Sequence, residues 1–413
     1  MRSLFVRLFA APVAVWLLLC APVPAAAAIV EYRNAHWFDG TRFVQGRWYA
    51  VDGTLTQRKP ARIDHVRDLR GGYVLPPLAD AHNHNLQNAW GVRNHRARYL
   101  ADGVQYAAML CGDAASTRAA RAELGAAPIE VLYASACISS SDGHPLAMAR
   151  RNPDGSLLAP EQVYDRDYIV VDTPADIEGK WPLVRAAQPD LVKLVLVHSE
   201  LAQRRGDPRH FGYNGLKPEL VAPLVRKAHA DGLRVAAHVE SAADFRVAVD
   251  AGVDLIAHLP GYQIWDGRDE ADYRLDDADI ARAAQRGIAV IATANAALQT
   301  NDDPAKLERV QRLQRDNLRR LVAAGVAIAI GSDRYDGTAL AELEYLARLQ
   351  AMPLPQLLRA AVETTPALLF PRRRIGRIAE GYEASFLVLR GDPLADPAAL
   401  RGIEWKVRKG EIY

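Results

Sequence analysis

The sequence predicts an α/β chain: a (β/α)8 TIM-like barrel with a small β-sandwich formed from both chain ends. Three observations predict it. Across residues 76–370, short apolar runs alternate with stretches of helical periodicity, the pattern of parallel strands joined by crossover helices. The runs count to eight. Several of them end in a side chain suited to holding a metal, as expected where barrel strand ends converge on one face.

The eight expected strands are LADAH (78–82), VQYAAML (104–110), IEVLYAS (129–135), LVKLVLV (191–197), RVAAH (234–238), VDLIAH (253–258), IAVIAT (288–293) and VAIAIG (326–331). Among the helical stretches, PELVAPLVRKAHADG has apolar residues near helical spacing and Gly232 as a stop signal. DPAKLERVQRLQRDNLRRLVAAG is a long amphipathic run that ends at Gly325. Two long segments, 139–167 after strand three and 199–215 after strand four, are expected as loops on the catalytic face, where substrate contacts are made.

Residues 29–75 alternate apolar and polar positions around Asp-Gly turns, which reads as short antiparallel strands. Strand-like stretches return within 371–413 as RIGRIA, ASFLVLR and EWKVRKGEIY. Neither end is long enough for a robust sheet, so the two are expected to combine.

Residues 1–28 read as a secretory signal peptide. Arg2 and Arg7 precede an apolar run from Leu8 to Leu19, and an Ala-rich cleavage region follows, giving a mature start at Ile29. The run is short for a membrane span. Lipid anchoring at Cys20 is the alternative, but the preceding Leu19 is a poor match for such sites. A soluble periplasmic or secreted protein is expected. Export would place Cys111 and Cys137 in an oxidising compartment. Two unlinked buried thiols are expected, although neighbouring barrel strands make a disulfide between them conceivable. With a net charge of only +2, neither nucleic acid nor an acidic membrane surface is expected as a partner. A small-molecule substrate is, with no stable membrane insertion once the leader is removed and room for a homo-oligomer.

The strand-end residues carry the chemistry. They are His82 and His84 in LADAHNH, Lys193, His238, His258 and Asp333 in GSD. Imidazoles suit zinc and similar ions, and the aspartate adds a hard oxygen ligand. An ammonium repels a cation, so Lys193 fits only as the carbamate formed with CO2, whose oxygens can bridge two metals. This order of ligand types resembles the amidohydrolase superfamily, two-metal type with a carboxylated lysine, in its imidazolonepropionase/prolidase-like branch. The entry phrase VLPPLADAHNH and the closing phrase RIGRIAEGYEASFLVLRGDPL carry the resemblance to both ends of the mature chain. Leu259 and Ser385-Phe386 depart from the usual pattern.

The resemblance implies that His82, His84 and Asp333 hold one divalent ion, zinc being expected, and that His238 and His258 hold a second. The carbamate of Lys193 would bridge them, and Asp333 would also be the general acid–base. The reaction implied is hydrolysis of an amide, peptide or cyclic amide bond with a metal-bridging hydroxide. His144 is expected at the substrate carbonyl or its developing oxyanion, with Tyr213 and Tyr262 as further hydroxyl donors. Arg334 is expected to anchor a substrate carboxylate, which suits a dipeptide or N-acyl amino acid. The competing readings are a mononuclear deaminase with Glu240 as its acid–base group, a lactonase, and an inactive binding protein on the same barrel.

Overall fold

The computed structural model describes residues 28–413; the expected leader, apart from Ala28, and Cys20 lie outside the described residues. Among the described residues no helix is long and apolar enough to cross a membrane.

The centre of the chain is built from parallel strands. One sheet holds seven, in the spatial order Ile328–Ala329, Ala289–Ile291, Leu255–Ile256, Arg234–His238, Leu191–Val195, Ile138–Ser139 and Ile169–Val170. A second holds Leu78–Asn83, Val104–Met109 and Glu130–Tyr133. Every one of the eight apolar runs thus contains a strand. Hydrogen bonds cross both seams between the sheets. Ala134 bridges Leu191 in parallel, and Ala81 N–H donates to the Ile330 carbonyl at 2.8 Å. The strands at 138–139 and 169–170 were not expected, because they flank the long segment read as a loop after strand three.

Helices pack outside by their apolar stripes. In Pro218–Ala230 a proline occupies the first turn, where its missing N–H costs nothing, and Leu220, Val221, Leu224, Val225 and Ala228 are buried. Helix Ala242–Ala251 starts at a Ser241/Asp244 capping box, and Pro304–Ala323 fills the long amphipathic stretch. The two segments expected as loops contain short helical turns and are stitched together: His144 N–H donates to the Asn214 carbonyl at 2.7 Å. Asp142 accepts from Asn214 at 2.9 Å and pairs with Arg205 at 3.2 Å.

Both chain ends share one sheet of seven strands, and its centre corrects the antiparallel expectation: His65–Leu75 runs parallel to Val30–Phe38 and antiparallel to Phe386–Leu389. The sheet curls over a core of Tyr32, Trp37, Leu55 and Phe386, and the Tyr32 and Phe386 rings meet edge to face at 4.9 Å. Its far edge closes on the other end of the chain, with Leu55 N–H donating to the Tyr382 carbonyl at 2.7 Å. RIGRIA (374–379) is not the strand expected. Gly376 there adopts a φ of +80°, and a Cβ would meet the Val362 carbonyl at 2.5 Å, so close docking onto the helical turn at Ala360–Thr364 replaces pairing.

Cys111 and Cys137 are bonded rather than unlinked, with Cα atoms 5.3 Å apart. They sit at the ends of neighbouring strands, the one arrangement that brings them within reach. Replacing both by serine is expected to cost about 3.5 kcal/mol from loop entropy over a separation of 26 residues. Thermal unfolding checks this, and chemical reduction of the wild type should reproduce the loss. An unchanged melting temperature in both would show that the bond constrains nothing.

Candidate metal centre

Strand ends gather the candidate ligands around one cavity of about 500 Å³, lined by His82, His84, Lys193, His238, His258 and Asp333. The alternation within strands delivers them: in Leu191–Val195, Lys193 and Val195 face the cavity while Leu194 packs outward into the main core. Gly331 permits the closest approach. A Cβ there would lie 2.8 Å from the His82 backbone nitrogen and 2.5 Å from Ile291, so only glycine lets this strand end reach its neighbour. Asp333 itself has a φ of 46°, a left-handed conformation that Asp and Asn tolerate best, and its N–H donates to the His82 carbonyl at 2.8 Å.

The imidazoles are held from behind. The outer nitrogen Nδ1 of His82 lies 2.7 Å from the Ala257 carbonyl, and that of His84 lies 3.0 Å from Gln87 Oε1. Each outer nitrogen can donate to its oxygen, which turns both Nε2 atoms into the cavity. They lie 3.6 Å and 3.2 Å from Asp333 Oδ1. Nδ1 of His258 meets the Thr293 hydroxyl at 2.9 Å, and its Nε2 is 3.8 Å from Asp333 Oδ2. His238 is reversed: Nε2 donates to Glu240 Oε1 at 3.0 Å, leaving Nδ1 bare. Its ring is 4.4 Å from that of His258. Donor atoms of His82, His84 and Asp333 all lie within 4.8 Å of one another, a spacing and a donor set that fit a divalent cation.

Charge agrees with that fit. Burial holds His82 and His258 well below the usual imidazole range, so both present neutral lone pairs. Burial works to raise the Asp333 carboxyl, but His82, His84 and Lys193 outweigh it and keep the group ionised. Lys193 is pushed down by burial to about 7, with Asp333 opposing the shift. Its Nζ is 3.4 Å from His82 Nε2. An amine titrating there spends much of its time neutral near pH 7, and the neutral amine is the form that attacks CO2.

The remaining candidates divide. His144 lines the cavity, stacked 5.2 Å from His238, and burial lowers it to about 3, so it is neutral. Tyr262 lines it too, but its hydroxyl already donates to Glu240, so the expected role as a donor to substrate is corrected to holding the carboxylate that orients His238. Glu240 is buried between those two partners and does not line the cavity. Tyr213 stands outside the cavity, its ring 6.4 Å from that of Trp265. Arg334 also lies outside the lining, because Asp336, two residues on, takes its guanidinium bidentately at 2.8 Å and 2.7 Å.

Sequence reasoning missed the group that ties the first and last strand ends together. Asp80 is fully buried and accepts from Ser332 N–H at 3.1 Å, Ser332 Oγ at 2.9 Å and His82 N–H at 3.3 Å. Burial raises its pKa to about 6. An acid inside the apolar run LADAH is the signal that could have found it, since a carboxylate is buried only with partners.

A parallel α/β scaffold with a cluster of imidazoles, a lysine and a carboxylate at its strand ends defines a class of fold able to hold a divalent cation in a cavity. The Amidohydrolase family model matches residues 210–405. Ochratoxinase of Aspergillus niger is 27% identical over 185 residues, 43% of this chain and 37% of that protein. The putative amidohydrolase YtcJ of Bacillus subtilis (strain 168) is 29% identical over 231 residues, 50% of this chain and 42% of that protein. The chain therefore spans well under half the length of these curated relatives. Over nearly its whole length it shares a fold with a Xaa-Pro dipeptidase solved with methionine bound (TM-score 0.72, 20% identity, 94% of this chain and 100% of that one). A. niger ochratoxinase aligns similarly, with TM-score 0.72, 17% identity, and 94% and 96% of the two chains covered. The family model covers a little under half of the chain, and the solved structures show a shared fold.

Proposed function

We propose that this chain is an exported, metal-dependent hydrolase of an amide, peptide or cyclic amide bond, its two parallel sheets forming one (β/α)8 barrel. The observation that carries the reading is the convergence of bare imidazole nitrogens, an ionised carboxylate and a buried, easily neutralised lysine on one cavity. His82, His84 and Asp333 would hold one divalent ion, His238 and His258 a second, and the carbamate of Lys193 both. When bound, such ions supply Lewis acidity toward a carbonyl oxygen and lower the pKa of an attacking water.

The chain's own groups do the rest. Asp333, ionised, accepts the proton released by the attacking water and returns it to the leaving nitrogen. His144, neutral and on the cavity wall, is placed to donate a ring N–H toward the carbonyl oxygen. Glu240, Gln87 and the Ala257 carbonyl keep the rings aimed. Export is supported by the leader-like first residues and by the Cys111–Cys137 bond, which suits an oxidising compartment.

Metal analysis of the purified mature protein tests the reading. About two tightly held divalent ions per chain are expected, with amide cleavage that a chelator removes and zinc restores. One ion would point to the mononuclear deaminase, and none to a binding protein. Cleavage confined to lactones would keep the centre and remove the amide.

A further inference from the structure

The cavity differs in charge from what a carboxylate-bearing substrate needs. Among the described residues, Lys193 at its base is the one Lys or Arg side chain that lines it. The arginines nearby are engaged elsewhere. Arg334 is clamped by Asp336, and Arg205 pairs with Asp142 and donates to the Gly215 carbonyl at 2.7 Å. Arg268 pairs with Glu200.

Besides Asp333 in the metal centre, two further carboxylates stand in the wall: Asp113 and Asp167. Asp167 is half-buried and pairs with the exposed Arg166 at 3.2 Å, which answers part of its charge. Asp113 does more. Helix Ala114–Leu124 begins at this wall, and a helix N-terminus ordinarily attracts an anion. Here the Asp113 carboxylate already accepts from Ala115 N–H and Ser116 N–H, both at 2.9 Å. The position an anion would take is filled by the protein's own. The rest of the wall is neutral and amide-rich, with Gln87, Asn88 and Gln299, while Met148 and Tyr335 expose apolar surface at the rim, 55% and 59% accessible.

We infer that this cavity takes an uncharged or cationic amide carrying an apolar or aryl group, and disfavours substrates that keep a free carboxylate beside the scissile bond. The inference rests on the hydrolase reading for which bond is cut, and replaces the dipeptide or N-acyl amino acid that a free Arg334 would have served. A carboxylate held against this wall would face Asp113 and Asp167, because the cavity's cations, Lys193 and the proposed ions, belong to its base and no Lys or Arg stands beside these two acids in the lining; like charges juxtaposed in a partly desolvated site are strongly unfavourable.

The test uses three matched probes: N-acetylphenylalaninamide (neutral), N-acetylphenylalanine (anionic) and phenylalaninamide (cationic). Binding is measured by calorimetry on the mature chain, as isolated and after metal removal, so that direct ligation of a metal by the acid is separated from the wall's preference. Both amides are expected to bind the metal-free protein at least about tenfold more tightly than the acid. In the Asp113→Asn/Asp167→Asn protein, where the introduced carboxamide still caps the helix, that gap should shrink to about threefold or less. Equal or tighter binding of the acid, an unchanged gap in the double variant, or no binding of any probe would overturn the inference. Hydrolysis is followed separately: the expected binding order with no cleavage of any amide would remove the hydrolase reading and leave this one standing.

Discussion

Replacing Lys193 with alanine is expected to abolish both turnover and the second metal equivalent. Lys193 is 3% exposed, at the base of the cavity, with Nζ beside His82 and facing the charge of Asp333. In the proposed centre its carbamate would be a direct ligand, so its loss should exceed the roughly 10–100-fold effect typical of an outer-shell partner. The fold should survive, because deleting a buried, poorly solvated amine removes a desolvation cost along with its contacts. Short carboxylic acids such as acetate or propionate, supplied in bicarbonate-free buffer, are expected to restore part of the activity by entering the vacated space. Full activity with two metals in the Lys193→Ala protein would end the carbamate idea.

Asp333→Asn is expected to lower turnover by about 10²–10⁴-fold, the range for losing a general acid–base group, with an unchanged melting temperature. The amide keeps the size of the carboxylate and, like it, tolerates the left-handed backbone at this position, so the N–H bond to the His82 carbonyl should persist. What it loses is the ionised oxygen facing His82, His84 and His258. Steady-state kinetics beside circular dichroism separates the two effects. Retained turnover would move proton transfer to another group, and His144, on the same wall, would be next.

Much of the scaffold was legible because strands buried on both faces leave continuous apolar runs, and a polar residue ending such a run stands out. VAIAIGSD announces Asp333 in this way, and in LVKLVLV Lys193 stands out as the one charge inside the run; both line the cavity. The strands at 138–139 and 169–170 were missed because they flank a long segment read as a loop, although YIVV (168–171) is itself a short apolar run. RIGRIA misled because its apolar spacing hides a glycine needed for close docking rather than for pairing.

By itself, then, the sequence determined the alternation of strand and helix, the sharing of the chain ends and the residue types at the strand ends, since burial and periodicity are written along the chain. Only the tertiary structure decided what each polar group meets. Arg334 is taken by Asp336, the Tyr262 hydroxyl by Glu240, the helix end behind the cavity by Asp113, and Cys111 by Cys137. The physical reason is range. Hydrophobic patterning is a local, averaged property of many residues, whereas a hydrogen bond or disulfide depends on ångström-scale placement and on which nearby partner arrives first. For this protein that difference falls on the cavity wall, where the loss of one expected cation changes the substrate the site can hold.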